Sequence, residues 1–160
     1  MNRRKGISNI IAMLLMIALA VAGAFMYYSI ARSYLKPQAG FTADITISVG
    51  ASGFTVITAS IVNTGGVPFN SLTITVTGSS SQLQFVYQPP QTISAGGGKA
   101  DITVEGLSGG PYSAVSSNTQ VNPNQDNLLA TVGSSYSVVV AAAMPNGATY
   151  SQTFSVQATP

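Results

Sequence analysis

Cysteine and histidine are both absent from this chain of 160 residues. Without them, thiol chemistry, disulfides, zinc sites of the usual kind and histidine acid–base catalysis are excluded. Charge is scarce as well: Asp, Glu, Lys and Arg make up 6% of the chain, against roughly 25% in ordinary soluble proteins. The few charges are segregated. Arg3, Arg4, Lys5, Arg32 and Lys36 lie at the N-terminal end, and beyond them Lys99 is the one base against Asp44, Asp101, Glu105 and Asp126. No basic stripe exists for nucleic acid to bind. Polarity comes instead from hydroxyls, with 35 Ser and Thr residues.

One long hydrophobic run stands out. From Gly6 to Ala31 no residue is charged, and Ile10–Ala31 is almost wholly apolar. As a helix, these residues span about 33 Å, close to the thickness of a bilayer core. The apolar character continues all round the helix, leaving no polar face. No proline intervenes before Pro37, so a helix is expected to run to about Lys36. The basic cluster Arg3-Arg4-Lys5 holds the N-terminus in the cytoplasm and sends the rest outside. Arg32 and Lys36 read as interfacial anchors beside Tyr27, Tyr28 and Tyr34.

After the breaker Pro37-Gln38-Ala39-Gly40 the period changes to two. Phe41, Ala43, Ile45, Ile47 and Val49 alternate with polar residues, as do Leu72, Ile74 and Val76, then Leu83, Phe85 and Tyr87, then Tyr136, Val138, Val140 and Ala142. Each pattern predicts a half-buried strand. Residues 54–62, 100–105 and 149–157 read as further strands. Turn formers separate them: Asn63-Thr64-Gly65-Gly66, Gly96-Gly97-Gly98, and Asn146-Gly147, a hairpin signal. About seven short strands predict an antiparallel sandwich of immunoglobulin-like type. Residues 107–130 read as a long irregular surface excursion. The expected fold class is α+β: a long N-terminal hydrophobic α-helix followed by an immunoglobulin-like antiparallel β-sandwich head.

The junction Lys5-Gly6 followed by Ile7-Ser8 precedes the apolar run, whereas an ordinary secretory signal is cut after it. A glycine there admits a protease to extended backbone beside the charges that fix the site at the membrane face. The segment RRKGISNIIAMLLMIALAVAGAFMYYSI resembles the class III signal and N-terminal helix of archaeal type IV pilins, above all those of crenarchaeal adhesive pili. The resemblance covers about the first 36 residues. It implies cleavage after Gly6 at a processing site of Lys5, Gly6, Ile7 and Ser8, with a prepilin peptidase, an assembly ATPase and a membrane platform protein as partners. It further implies an inner-membrane-embedded precursor, a cell-surface, extracellular pilus for adhesion, and self-association into a helical homopolymer. Bacterial relatives usually carry a Glu where this chain has Ile11, a departure that favours the archaeal branch.

On this reading residues 1–6 are a cleaved leader, 7–36 the transmembrane and filament-core helix, 37–40 a linker and 41–160 the head. The assembly helix presents Ile10, Ile11, Leu14, Leu15, Ala18, Leu19, Ala22, Gly23, Phe25 and Met26. Ala18, Ala20, Ala22, Gly23 and Ala24 form a small-residue band that lets helices approach closely, although alanine also simply promotes helix. No catalytic residue, metal site, cofactor or nucleic-acid partner is expected, and the chain does not read as an enzyme. Asp101 and Glu105, four apart in a strand, share a face and read as solvated charges on an edge strand. Gly96-Gly97-Gly98-Lys99 lacks the spacing of a phosphate loop and reads as a hairpin turn. The Ser/Thr-rich faces suit O-linked glycans, and no Asn-x-Ser/Thr sequon occurs. Two alternatives stay open. One is a single-pass membrane-tethered adhesin or lectin-like module, for which Phe54, Tyr87 and Tyr112 are candidate sugar platforms, although core packing suits Phe54 and Tyr87 better. The other is an archaellin-type filament subunit.

Overall fold

The computed structural model describes residues 3–34 and 37–160, and the helical side chains from residue 10 to residue 31. Two compact units, Met1–Pro37 and Gln38–Pro160, divide the chain. The first is a single helix, α1 (Arg3–Tyr34). Ala is its commonest residue, Leu and Met add further strong helix formers, and no proline lies inside it, so propensity favours the helix. Gly23, its one central glycine, costs about 0.5–1 kcal/mol relative to alanine.

The second unit contains nine strands: β1 (Phe41–Val49), β2 (Phe54–Asn63), β3 (Ser71–Thr77), β4 (Gln82–Tyr87), β5 (Lys99–Leu107), β6 (Tyr112–Ala114), β7 (Thr119–Asp126), β8 (Ser135–Ala143) and β9 (Thr149–Thr159). They form two layers, β6-β5-β2-β1 and β9-β8-β3-β4-β7. All neighbours are antiparallel except β1 and β9, which join the layers through one short parallel pairing, Ile47 with Ala158 and Ser48 with Thr159. The orders β1-β2-β5 and β9-β8-β3-β4 are those of an immunoglobulin-like sandwich, in which the first, second and fifth strands face the last, next-to-last and third.

Alternation decides which side of each strand turns inward. Ile57, Ala59 and Ile61 of β2, Leu72, Ile74 and Val76 of β3, and Val138, Val140 and Ala142 of β8 are all buried in one core. Phe41 sits at its edge, perpendicular to Phe69 at 6.1 Å and to Tyr150 at 5.6 Å, a favourable geometry for aromatic rings. The β8–β9 connection is longer than a two-residue Asn-Gly turn: Gly147 has φ 81° but Asn146 is not left-handed, Gly147 N donates to Met144 O at 3.0 Å, and Asn146 Oδ1 accepts from the Ala148 amide at 3.0 Å.

Three expectations need correction. Residues 107–130 are not an excursion. They contain β6 and β7, and they bury Tyr112, Leu128 and Ala130. Residues 128–131 have no strand ladder, yet side chains satisfy their backbone. Tyr112 donates to Leu128 O at 3.0 Å, and Ser81 Oγ accepts from Leu129 N at 2.9 Å. Ser108 Oγ takes the Ala130 amide and donates to its carbonyl. Tyr136 donates to Leu129 O and accepts from Thr131 N, both at 2.9 Å. Leu128 and Ala130 are buried between exposed neighbours, and an irregular segment so placed is tolerable only with such pairing.

β5 is also not an edge strand, because β6 pairs with it from Val104 to Gly106. Gly96-Gly97-Gly98, finally, does not close a hairpin. It carries the chain from the layer of β4 to the layer of β5, with Gly96 and Gly97 at φ 69° and 128°, a region that only glycine enters cheaply.

Candidate functional site

Two surfaces carry chemistry worth weighing: the bare helix, and the polar faces of the head. On α1, Ile10, Ile11, Leu14, Leu15, Leu19, Phe25 and Met26 are all more than half exposed. Ile10–Ala31 has a mean hydropathy of 2.5, and none of it is buried. Ala18 and Ala22 stand four apart, as do Ala20 and Ala24, so two small-x-x-x-small patches lie along the helix. A Cβ added at Gly23 meets nothing within 4 Å. Lys5, Gly6, Ile7 and Ser8 fall within α1. Their side chains, and residues 35 and 36 of the expected helix, lie outside the described residues.

Where the chain enters the head it is tied down. The amides of Thr64 and Gly65 both donate to Gly40 O, at 3.1 and 2.8 Å, and Gly66 N donates to Gln38 O at 2.9 Å. Asn63, fully buried, organises this corner. Its Nδ2 donates to Val67 O at 2.8 Å and to Ile93 O at 3.3 Å, and its Oδ1 accepts from Gly65 N at 3.0 Å. The sequence marked Asn63 only as a turn former. Its one distinguishing signal is that it falls on the inward phase of β2.

The outward face of β1, β2 and β5 is a ladder of short polar side chains. Asp44, Ser60 and Asp101 sit opposite one another across the three strands, and Thr46, Thr58 and Thr103 form the next row. Asp101 is held below the usual carboxylate range by its hydrogen bonds to Ser60 and then Lys99, whose Nζ lies 3.1 Å away. Asp101 and Glu105 do share this face. Among the described residues no three acidic side chains gather to hold a metal ion.

The candidate sugar platforms sort differently from the expectation. Tyr112 is buried, and Phe54, expected in the core, is 40% exposed at the start of β2. Alternation explains the exchange: Thr55, not Phe54, takes the inward phase there. Burial raises the Tyr112 pKa above the ordinary tyrosine value. A phenol whose folded-state pKa is raised contributes stability that is complete below the unfolded value, about 10, and that is lost as pH rises through the folded value. The head should therefore weaken in strong alkali. Tyr112→Phe should cost about 1 kcal/mol, because Leu128 O keeps its bond from Gly109 N. Tyr136→Phe strips partners from two backbone groups and should cost about 2 kcal/mol. Thermal unfolding of the full chain in detergent checks this ranking.

At one end of the second layer lies a cleft of about 460 Å³ between the β3–β4 turn and the end of β7. Leu83 pairs with Asp126 but Phe85 pairs with Val121, so two steps along β4 match five along β7. The surplus, Asn122 to Gln125, bulges from the edge strand. Asn122 Nδ2 anchors it on Gln84 Oε1 at 2.8 Å, and Gln82 N donates to Asn127 Oδ1 at 3.3 Å.

Against known proteins, no family model matches the chain, and neither does any curated protein. Among solved structures it is similar to a CARDB domain of a Pyrococcus furiosus protein, crystallised in complex with di-metal ions, at 14% identity and a TM-score of 0.34. The match covers 76% of this chain and 88% of that one. A likeness this distant carries no argument about function.

Proposed function

We propose that this chain is the structural subunit of an extracellular filament of the archaeal type IV pilus kind, polymerising through α1 and displaying its sandwich as the filament's coat. The observation that carries the reading is the bare helix. Fourteen large apolar side chains between Ile10 and Ile30 are more than half exposed. At about 1.5–3 kcal/mol each, covering them is worth on the order of 20–40 kcal/mol. That exceeds the about 5–15 kcal/mol that holds a typical domain folded, so the helix needs lipid or other helices around it.

Before assembly, lipid covers it. Passing from lipid into a bundle of identical helices exchanges one apolar medium for another, so packing at the Ala18/Ala22 and Ala20/Ala24 patches supplies the specificity. In water the bundle resists dissociation by the full transfer energy, and its assembly requires an external motor. A membrane-tethered head that never polymerises accounts equally for the hydropathy. The junction at Gly6, placed ahead of the apolar run, favours the filament.

Mass spectrometry of sheared surface filaments tests the reading: the subunit is expected to begin at Ile7. In Gly6→Val the β-branched side chain obstructs the scissile backbone, and a precursor six residues longer should accumulate in membranes. Mature protein of normal size from that variant would refute the cleavage site, and filaments lacking this chain would refute the reading as a whole.

A further inference from the structure

The cleft beside β7 gathers side-chain amides and hydroxyls. Its lining includes Ser79, Ser80, Gln82, Asn124, Gln125 and Asn127, and it contains no charged and no aromatic side chain. Side-chain amides and hydroxyls each offer both donors and acceptors in a small space. The backbone beneath them is fixed by the Asn122–Gln84 and Asn127–Gln82 bonds. Among the cleft's lining residues, Gln125 Oε1 is shut away from solvent with no hydrogen-bond donor, as Thr119 Oγ1 is elsewhere on β7. Gln125 is itself half-buried, and its terminal torsion is broad.

The bulge has a second explanation, the blunting of an exposed sheet edge, and Pro123 at its centre serves that end. Blunting does not call for a wall of amides or an orphaned acceptor. Bulges also re-aim side chains next to binding sites, and this one turns an otherwise flat edge into one side of a concavity.

The missing chemistries narrow the ligand. No lining cation is available for an anion, and no lining carboxylate for a metal ion or an amine. The bulge interrupts the ladder that an added peptide strand would extend. A neutral molecule rich in hydroxyls matches what remains. We infer that this cleft is a binding site for a neutral glycan, held by the amides of Asn124, Gln125 and Asn127 and the hydroxyls of Ser79 and Ser80. The site belongs to the head alone and does not depend on polymerisation through α1.

The test uses the full chain in a zwitterionic detergent, because sugar-headed detergents would compete for the cleft. Calorimetry or saturation-transfer NMR is run with neutral trisaccharides of glucose, mannose, galactose and N-acetylglucosamine, and with sialylated counterparts. At least one neutral trisaccharide is expected to bind, its sialylated form more weakly. Gln125→Leu, which removes the amide at similar volume, should weaken binding by about tenfold or more. Asn124→Ala lies on an exposed position, leaves the core untouched and should weaken it comparably, so a folding defect in the first variant does not decide the matter. Ser155→Ala, exposed on β9, should change nothing. The assignment is overturned if no neutral trisaccharide binds, if sialylated forms bind more tightly, or if Asn124→Ala binds as well as the unaltered chain.

Discussion

Ala20→Asp should give a subunit that enters the membrane and is processed but forms no filaments. Ala20 lies in the middle of the uncharged run Ile10–Ala31. In a bilayer a central Asp costs about 2.5–3.5 kcal/mol on insertion scales, well below what the surrounding apolar side chains return. In a packed bundle of helices the same carboxylate has no water and no partner, and among identical subunits it recurs in every copy. The penalty therefore falls on assembly rather than on insertion. Leu19→Met conserves volume and should assemble normally. Ser80→Asp should also assemble, since Ser80 is exposed on the head, yet it should abolish glycan binding at the cleft. The yield of sheared filaments, set against mature subunit left in membranes, reads out all three. Normal filaments from Ala20→Asp would remove α1 as the polymer core, and the tethered binding module would then be the better account.

Gly65→Val should be severely damaging to the head, costing about 3 kcal/mol or more. A Cβ built at Gly65 comes within 2.4 Å of Gly40 N, 2.6 Å of Gln38 O and 2.9 Å of Ala39 C. All three are backbone atoms, so no side chain can swing aside. The segment Gln38–Gly40 must lift off, and three amide–carbonyl bonds at Thr64, Gly65 and Gly66 go with it. Asn63 loses the geometry of its turn as well, and a fully buried amide left partly unpaired adds a penalty of its own. By contrast, Gly23→Ala meets open space and should not destabilise α1. Thermal unfolding of the full chain in detergent should show a large fall in midpoint for Gly65→Val. An unchanged midpoint would mean that this corner does not hold the entry of the chain into the head.

Much of this architecture is written in period and composition. An unbroken uncharged run specifies one helix with no water-facing side, and nothing elsewhere in the molecule has to be known to see it. Alternation likewise fixes the inward residues of β1, β3, β4 and β8, because a strand's side chains change face at every residue. The exposed apolar surface of α1 was legible for the same reason: it is a property of one contiguous segment.

What alternation does not carry is which strand lies beside which, and the misreadings arise there. β5 became an interior strand only because the short β6 returns to cover it. Residues 128–131 look like a surface loop, yet Ser81, Ser108, Tyr112 and Tyr136 converge from four places in the chain to satisfy their backbone. The amide cleft depends on a register shift between β4 and β7, and no single segment contains a register. The sequence by itself determined an apolar helix joined to a hydroxyl-faced sandwich. Tertiary structure alone decided the entry corner at Asn63 and the cleft at Gln125, because both are made by backbone groups and side chains far apart in sequence, paired through contacts that local pattern does not encode.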